Sequence, residues 1–225
     1  MSNWQELEPN WLWQHDDFLS DTEVDALLDT LYSTDSKTKD GAKEAHVISR
    51  TLYHYNVFND NLRNDSATVD MIFDKLNAHF VAQGEQPAPK DNLNGVQFYT
   101  KSFEPGKGYY ELHVESAELF GEFVFMLYLT DETDGEIVLP SEKDAHKDWK
   151  PEFQHMVDTL PVRFVENTIS VLPKRNRMVC MRVGAPHYVK HCSGSRVCIS
   201  GWPYASDEYR KKIKSFYASN PGSKV

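Results

Sequence analysis

Two short segments hold the residues most capable of chemistry. The first is YYELHVESAE, where His113 and Glu115 stand two apart. Positions i and i+2 of a strand share a face, so an imidazole and a carboxylate would emerge side by side and could bind one metal ion. Alone, H-x-E is a common chance pairing. The second segment, APHYVKHCSGSRVCISGW, follows about seventy residues later. His187 opens a strand-like run, and Arg196 comes nine residues on, across a turn at Ser193-Gly194. Ser200 and Trp202 share Arg196's face by alternation. Two imidazoles and one carboxylate occupy one face of an octahedron and leave three positions open. A keto acid can fill two of these through its 2-oxo and C1-carboxylate oxygens, and dioxygen the third. A second carboxylate on that keto acid needs a bidentate partner, and the planar fork of arginine suits it better than lysine.

Plainer readings compete. His187 and His191 form H-x-x-x-H, which on a helix can be a zinc site. Gly184, Pro186, the β-branched run and Gly194 argue for a strand instead. Cys180, Cys192 and Cys198 match no zinc spacing and read as packed thiols. Lys174, Arg175 and Arg177 read as a solvated turn, and Trp11 and Trp13 as core. Arg196 sits amid Val197, Cys198 and Ile199, company that favours a pocket over a surface ion pair.

The elements that must position these residues follow from periodicity. A helix is predicted from Ser20 to Tyr32. It opens on an S-x-x-E capping box, and Val24, Leu27, Leu28 and Leu31 form one buried face. The polar stretch STDSKTKDGAKEA reads as a loop, and 46–58 as a strand. A second helix is predicted from about Ser66 to Val81, with Val69, Ile72, Phe73, Leu76 and Phe80 on one stripe; Pro87 and Pro89 prevent its continuation. From Gly95 onward, short strands are expected at 95–103, 109–116, 121–130, 135–139, 168–172, 177–183, 187–192 and 195–203. That spacing suggests an antiparallel jelly roll or barrel. The polar segment 140–167 reads as a long loop of the kind that often selects substrates. A basic helix is expected at 206–219.

The chain has 225 residues and a formal net charge of -10. The length suits one domain: a helical support region with a strand at 1–94, a β core at 95–205, and a C-terminal helix and tail at 206–225. The acidic balance disfavours nucleic acid as a partner. Three cysteines without a framework suggest reduced thiols. The N-terminal segment lacks the basic start and apolar core of a signal peptide, and no apolar run reaches the ~20 residues of a membrane span. A soluble, cytoplasmic protein is the expectation; oligomeric state is not readable.

Several motifs, in order, resemble the 2-oxoglutarate- and iron(II)-dependent oxygenases, in particular the prolyl 4-hydroxylase branch. His113-x-Glu115 resembles the family's H-x-D. FMLYLTD, with Tyr128, resembles its Tyr-Leu-Asn strand end, and DGEIVLP its glycine turn. VLPKRNRMVCM resembles the run before the distal histidine. The steps of nine from His187 to Arg196 and six from Arg196 to Trp202 match family spacing. DDFLSDTEVDALL is a weaker N-terminal echo.

The resemblance implies a double-stranded β-helix (jelly roll), mainly β, with N-terminal helices packed on it and a C-terminal helix. It implies iron(II) held by His113, Glu115 and His187. It implies 2-oxoglutarate as cosubstrate, its C5 carboxylate on Arg196 with Tyr128, Ser200 and Tyr99, and Tyr110 as a pocket aromatic. Ascorbate is a candidate additional reductant. The implied reaction is hydroxylation of a prolyl residue in a peptide or protein, or of a related small amino-acid-like substrate, with decarboxylation of 2-oxoglutarate to succinate. A jelly-roll binding protein with lost turnover is the alternative, and a nucleic-acid demethylase ranks behind both. One departure is plain: the family usually has Asp where this chain has Glu115.

Overall fold

The computed structural model describes residues 3–33, 66–88, 99–102, 108–115, 117–140, 157–160, 168–194 and 196–206. The strands are β1 Gln5–Glu8, β2 Leu12–His15, β3 Tyr99–Ser102, β4 Gly108–Glu115, β5 Phe123–Tyr128, β6 Ile137–Pro140, β7 Val157–Leu160, β8 Thr168–Val171, β9 Met178–Arg182, β10 His187–Cys192 and β11 Val197–Gly201. The helices are α1 Asp21–Ser33, α2 Ser66–Ala82 and the short α3 Ala117–Phe120. The strands form two sheets, in the orders β1-β2-β9-β5-β11-β3 and β7-β4-β10-β6-β8. Every pairing is antiparallel. From β3 to β6 the chain alternates between the sheets, and it does so again from β8 to β11.

The central strand β5, FVFMLY, is buried along its whole length. An unbroken apolar run is what a strand with two covered faces requires, because successive side chains point to opposite sides. Phe123, Phe125 and Leu127 join Val24 and Leu27 of α1 and Ile72, Phe73, Leu76 and Phe80 of α2 in one apolar cluster. Val124, Met126 and Tyr128 join Ile137, Leu139, Val171 and Val189 of the other sheet in a second cluster. β9 and β11 divide in the same way. Met178, Cys180 and Ile199 belong to the first cluster, and Val179, Met181 and Cys198 to the second.

All eight strands expected after Gly95 are present with ends shifted by a few residues, as are both helices. The α1 capping box forms as read: Ser20 Oγ accepts from Glu23 N, and Glu23 Oε2 accepts from Ser20 N at 2.6 Å. The sequence reading missed β1, β2, α3 and β7. QELE of β1 is polar and half-exposed at a sheet edge, so it carries no apolar alternation. β7 is likewise an edge strand and lies inside the segment read as a loop. The expected strand at 46–58, the loop before it, the helix at 206–219 and most of 140–167 lie outside the described residues. No helix among the described residues is long and apolar enough to cross a membrane.

The basic turn is not simply solvated. Arg177 pairs with Asp16 at 2.6 Å, Lys174 reaches the same carboxylate at 3.1 Å, and Arg175 reaches Asp25 at 2.8 Å. The Arg177 hydrogen bond holds the Asp16 carboxyl down at about 2. Between these cations Asn176 is buried, with φ 65°. Its side-chain amide accepts from Leu19 N at 2.8 Å and donates to Leu19 O at 2.6 Å. Its own N–H donates to Tyr128 O and its carbonyl accepts from Phe18 N. This one residue therefore ties the entry of α1 to the end of β5. Asn tolerates the left-handed region better than most side chains. Asn176→Ala should strand two buried backbone groups and lower the unfolding free energy by about 2–4 kcal/mol in urea titrations.

His79 of α2 is buried, stacked on Trp4 at 4.0 Å between ring centroids and edge-on to Trp13 at 5.3 Å. Burial, with a smaller contribution from His15, pulls its ring down from 6.5 to about 4. The folded protein thus keeps His79 neutral where the unfolded chain protonates it. Stability present above pH 6.5 is lost as pH falls toward 4 and then stops changing on this account. Between pH 6.5 and 5 the loss should be about 1.5 kcal/mol, and His79→Phe should remove that share of the slope in urea midpoints measured across this window.

Candidate active site

β4 and β10 are neighbours, and their register sets His187 directly opposite His113. Opposed positions lie on one face of a sheet, as do positions two apart in one strand, so His113, Glu115 and His187 occupy one face. His113's side chain is outside the described residues; those of Glu115 and His187 are described and buried, at 7% and 6% exposure. His187 Nδ1 lies 2.9 Å from Ala185 O. A carbonyl only accepts, so Nδ1 carries a proton, and any lone pair offered to a metal must come from Nε2. Trp202 Nε1 donates to Glu115 Oε2 at 2.9 Å. Among the described side chains alone, no three metal-ligating groups converge. Glu115 and His187 supply a carboxylate and an imidazole, and the third position of the face is His113.

The second half of the site lies between the sheets. Arg196, just before β11, is 1% exposed. Its Nη2 donates to Tyr128 Oη at 3.2 Å, and its guanidinium carbon lies 5.0 Å from the Tyr128 ring centroid. Burial raises the Tyr128 hydroxyl above its usual range, and Arg196 only partly offsets this. The phenol therefore stays neutral and keeps a proton to donate. Ser200 is fully buried, and its Oγ has no hydrogen-bond partner among the described residues. Cys198, on the same face, is buried in the inter-sheet cluster with Tyr128 and Trp202. Tyr99 is the register partner of Ser200 on β3; its side chain lies outside the described residues, as does that of Tyr110. A guanidinium, a neutral phenol and a hydroxyl without a partner among the described residues form a donor set that suits a carboxylate.

Beside the site lies the glycine turn read from DGEIVLP, together with one feature that escaped the sequence reading, Glu132. Gly135 has φ 75°, and a Cβ there would lie 2.8 Å from Cys192 Cβ. Glycine thus lets the β5–β6 turn lie against the end of β10. Glu132, in the same turn, has its carboxyl raised by burial, with Thr130 and Arg196 opposing the rise. Its closeness to Arg196 depends on register between distant strands, which no local spacing reveals.

Residues 95–204 match the profile of the 2OG-Fe(II) oxygenase superfamily. The chain carries a 2OG-Fe(II) oxygenase domain. Iron(II) and 2-oxoglutarate are the cofactors of that superfamily, and the domain at 95–204 is that of a 2-oxoglutarate-dependent dioxygenase. Comparison with curated protein sequences gave no match. Among solved structures, the fold is similar to a Pseudomonas putida prolyl-4-hydroxylase, with 16% identity, TM-score 0.52, and 86% of this chain and 92% of that one covered. It is similar to a Trichoplax adhaerens prolyl hydroxylase in complex with a hypoxia inducible factor oxygen degradation domain peptide fragment. There the identity is 13%, the TM-score 0.52, and coverage 91% and 87%. It is also similar to HygX from Streptomyces hygroscopicus with nickel and 2-oxoglutarate bound, at 12% identity, TM-score 0.50, and coverage 85% and 80%. These likenesses establish the fold. The inter-sheet donors fit the dicarboxylate cosubstrate of an oxygenase: Ser200 Oγ, buried and without a partner among the described residues, shares a sheet face with the Arg196–Tyr128 pair.

Proposed function

We propose that His113, Glu115 and His187 hold the iron(II), and that Arg196, Tyr128, Ser200 and Tyr99 receive the C5 carboxylate of 2-oxoglutarate. The substrate is a prolyl residue in a peptide, or a related amino-acid-like molecule. The observation that carries the reading is the buried Arg196–Tyr128 pair with Ser200 Oγ unsatisfied on the same face. The two prolyl hydroxylase neighbours, one of them holding a peptide, support the substrate class. The alternating strands of the two antiparallel sheets support a double-stranded β-helix formed by one domain, with α1 and α2 as its support.

When bound, iron(II) and 2-oxoglutarate supply oxidative decarboxylation to succinate coupled to hydroxylation of a C–H bond. The chain's own residues supply position and charge. Arg196 neutralises the far carboxylate in a water-poor interior, where a charge-assisted bond is strong. The Tyr128 and Ser200 hydroxyls complete its acceptor sites. Ala185 O fixes the tautomer and ring plane of His187.

The test is release of succinate from 2-oxoglutarate with iron(II) and ascorbate, measured with proline-containing peptides and with free amino acids. Peptide-dependent release with a hydroxyprolyl product is expected. Release stimulated only by free amino acids would move the substrate to the small-molecule class. Arg196→Leu should weaken 2-oxoglutarate binding roughly 100-fold or more in calorimetry. Tyr128→Phe should weaken it about tenfold, since one bond to a charged partner is lost. Unchanged affinity in Arg196→Leu would remove the pocket assignment.

A further inference from the structure

Trp202 Nε1 donates to Glu115 Oε2, although 87 positions separate the two residues: Glu115 ends β4 of one sheet, and Trp202 directly follows β11 of the other. Both side chains are buried, Trp202 at 6% exposure. We propose that Trp202 is a positioning residue for the Glu115 carboxylate, and that this bond is what adapts a glutamate to the metal face. The inference rests on the assignment of Glu115 as a ligand.

A glutamate has one more rotatable bond than an aspartate, so its carboxylate samples more orientations and reaches farther. A buried N–H on one carboxylate oxygen restricts those orientations and sets the plane of the group. Such a clamp works only if the donor is itself immobile, and three contacts make it so. Phe120 lies against the indole, with ring centroids 4.7 Å apart. Ala205 N donates to Trp202 O and closes the turn that follows β11. Gly121, at φ 77°, lies so close to Tyr204 that a Cβ there would overlap the Tyr204 Cβ and carbonyl oxygen. The turn after Glu115, carrying Phe120 and Gly121, is therefore pressed onto the segment that carries Trp202. The ligand strand and its clamp are held to each other through backbone as well as through the indole.

Cobalt(II) affinity and its ligand-field absorption, measured anaerobically on the full chain, test this. Trp202→Phe keeps an aromatic body and removes the donor. It should weaken cobalt(II) binding about ten- to a hundredfold and alter the spectrum, with 2-oxoglutarate-independent unfolding little changed. In Glu115→Asp, the carboxylate is one methylene shorter and out of the indole's reach, so adding Trp202→Phe should change affinity no further. Wild-type affinity and spectrum in Trp202→Phe would overturn the proposal. So would an equal loss in the Glu115→Asp background, because the indole would then act through something other than Glu115. If Glu115→Ala and His187→Ala both bind cobalt(II) as the wild type does, the ligand assignment itself falls and takes this proposal with it. Failure of Trp202→Phe alone leaves the assignment standing. If Trp202→Phe does not fold, the wild-type indole N–H resonances decide. Of the five tryptophans, one should shift on zinc(II) addition and on Glu115→Gln. No common shift would overturn the clamp.

Discussion

A guanidinium closed away from water must find other oxygens to replace its hydration, and a protein that buries one has to build those oxygens around it. Arg196 sets that requirement here. It is 1% exposed, with a phenol oxygen at 3.2 Å and the Glu132 carboxyl near enough to feel its charge. Arginine cannot escape the difficulty by losing its proton. The surroundings must therefore hold rigid oxygens at fixed distance and exclude water elsewhere. The neutral Tyr128 hydroxyl serves the first need, and the apolar inter-sheet cluster serves the second.

That requirement reaches outward through the central strands. Tyr128 and Ser200 face inward only because Leu127 and Ile199, their neighbours in sequence, face the other way into the cluster shared with α1 and α2. A one-residue slip in the pairing of β11 with β5 would turn every inward side chain outward. The register is protected because both faces are committed to packing. The helices thus serve the site without touching it: they occupy the outward face of β5, β9 and β11. Asn176 adds a polar lock, joining the entry of α1 to the Tyr128 carbonyl.

How much of this was legible in sequence depends on where each residue stands. Runs such as FVFMLY announce strands because a two-faced strand must be apolar throughout. QELE and VDTL announce nothing, because an edge strand of four residues need not alternate. Within the site, Arg196, Ser200 and Trp202 were placed on one face by counting alone, and the inter-sheet cluster contains Trp202 together with Cys198, which the sequence left as a packed thiol. His187 was distinguished from His191 by its spacing to Arg196. The register adds a separate ground, since it is His187 that stands opposite His113. Contacts between sheets were not legible. Trp202 with Glu115, and Glu132 near Arg196, depend on how far two sheets are offset, which no local pattern encodes. The Lys174–Arg177 turn failed for a related reason: its partners, Asp16 and Asp25, lie more than a hundred residues away.

The same physics explains why the site sits on strands and not on loops. A buried hydroxyl without a partner costs about 1–3 kcal/mol, and a buried guanidinium is more demanding still. On a flexible segment, Ser200 and Arg196 would relax toward water and toward each other's neighbours, and that cost would vanish along with the preformed geometry. β11 prevents the relaxation, because it is paired on both sides, with β5 and β3, and packed on both faces. The surrounding core holds these donors apart and dehydrated. Under the proposed assignment, a dicarboxylate that enters meets these donors together, and its binding would stabilise the folded protein as well as fill the site. On the same assignment, a keto acid with a second carboxylate is preferred over a monocarboxylate, which would forgo the charge-assisted bonds to Arg196.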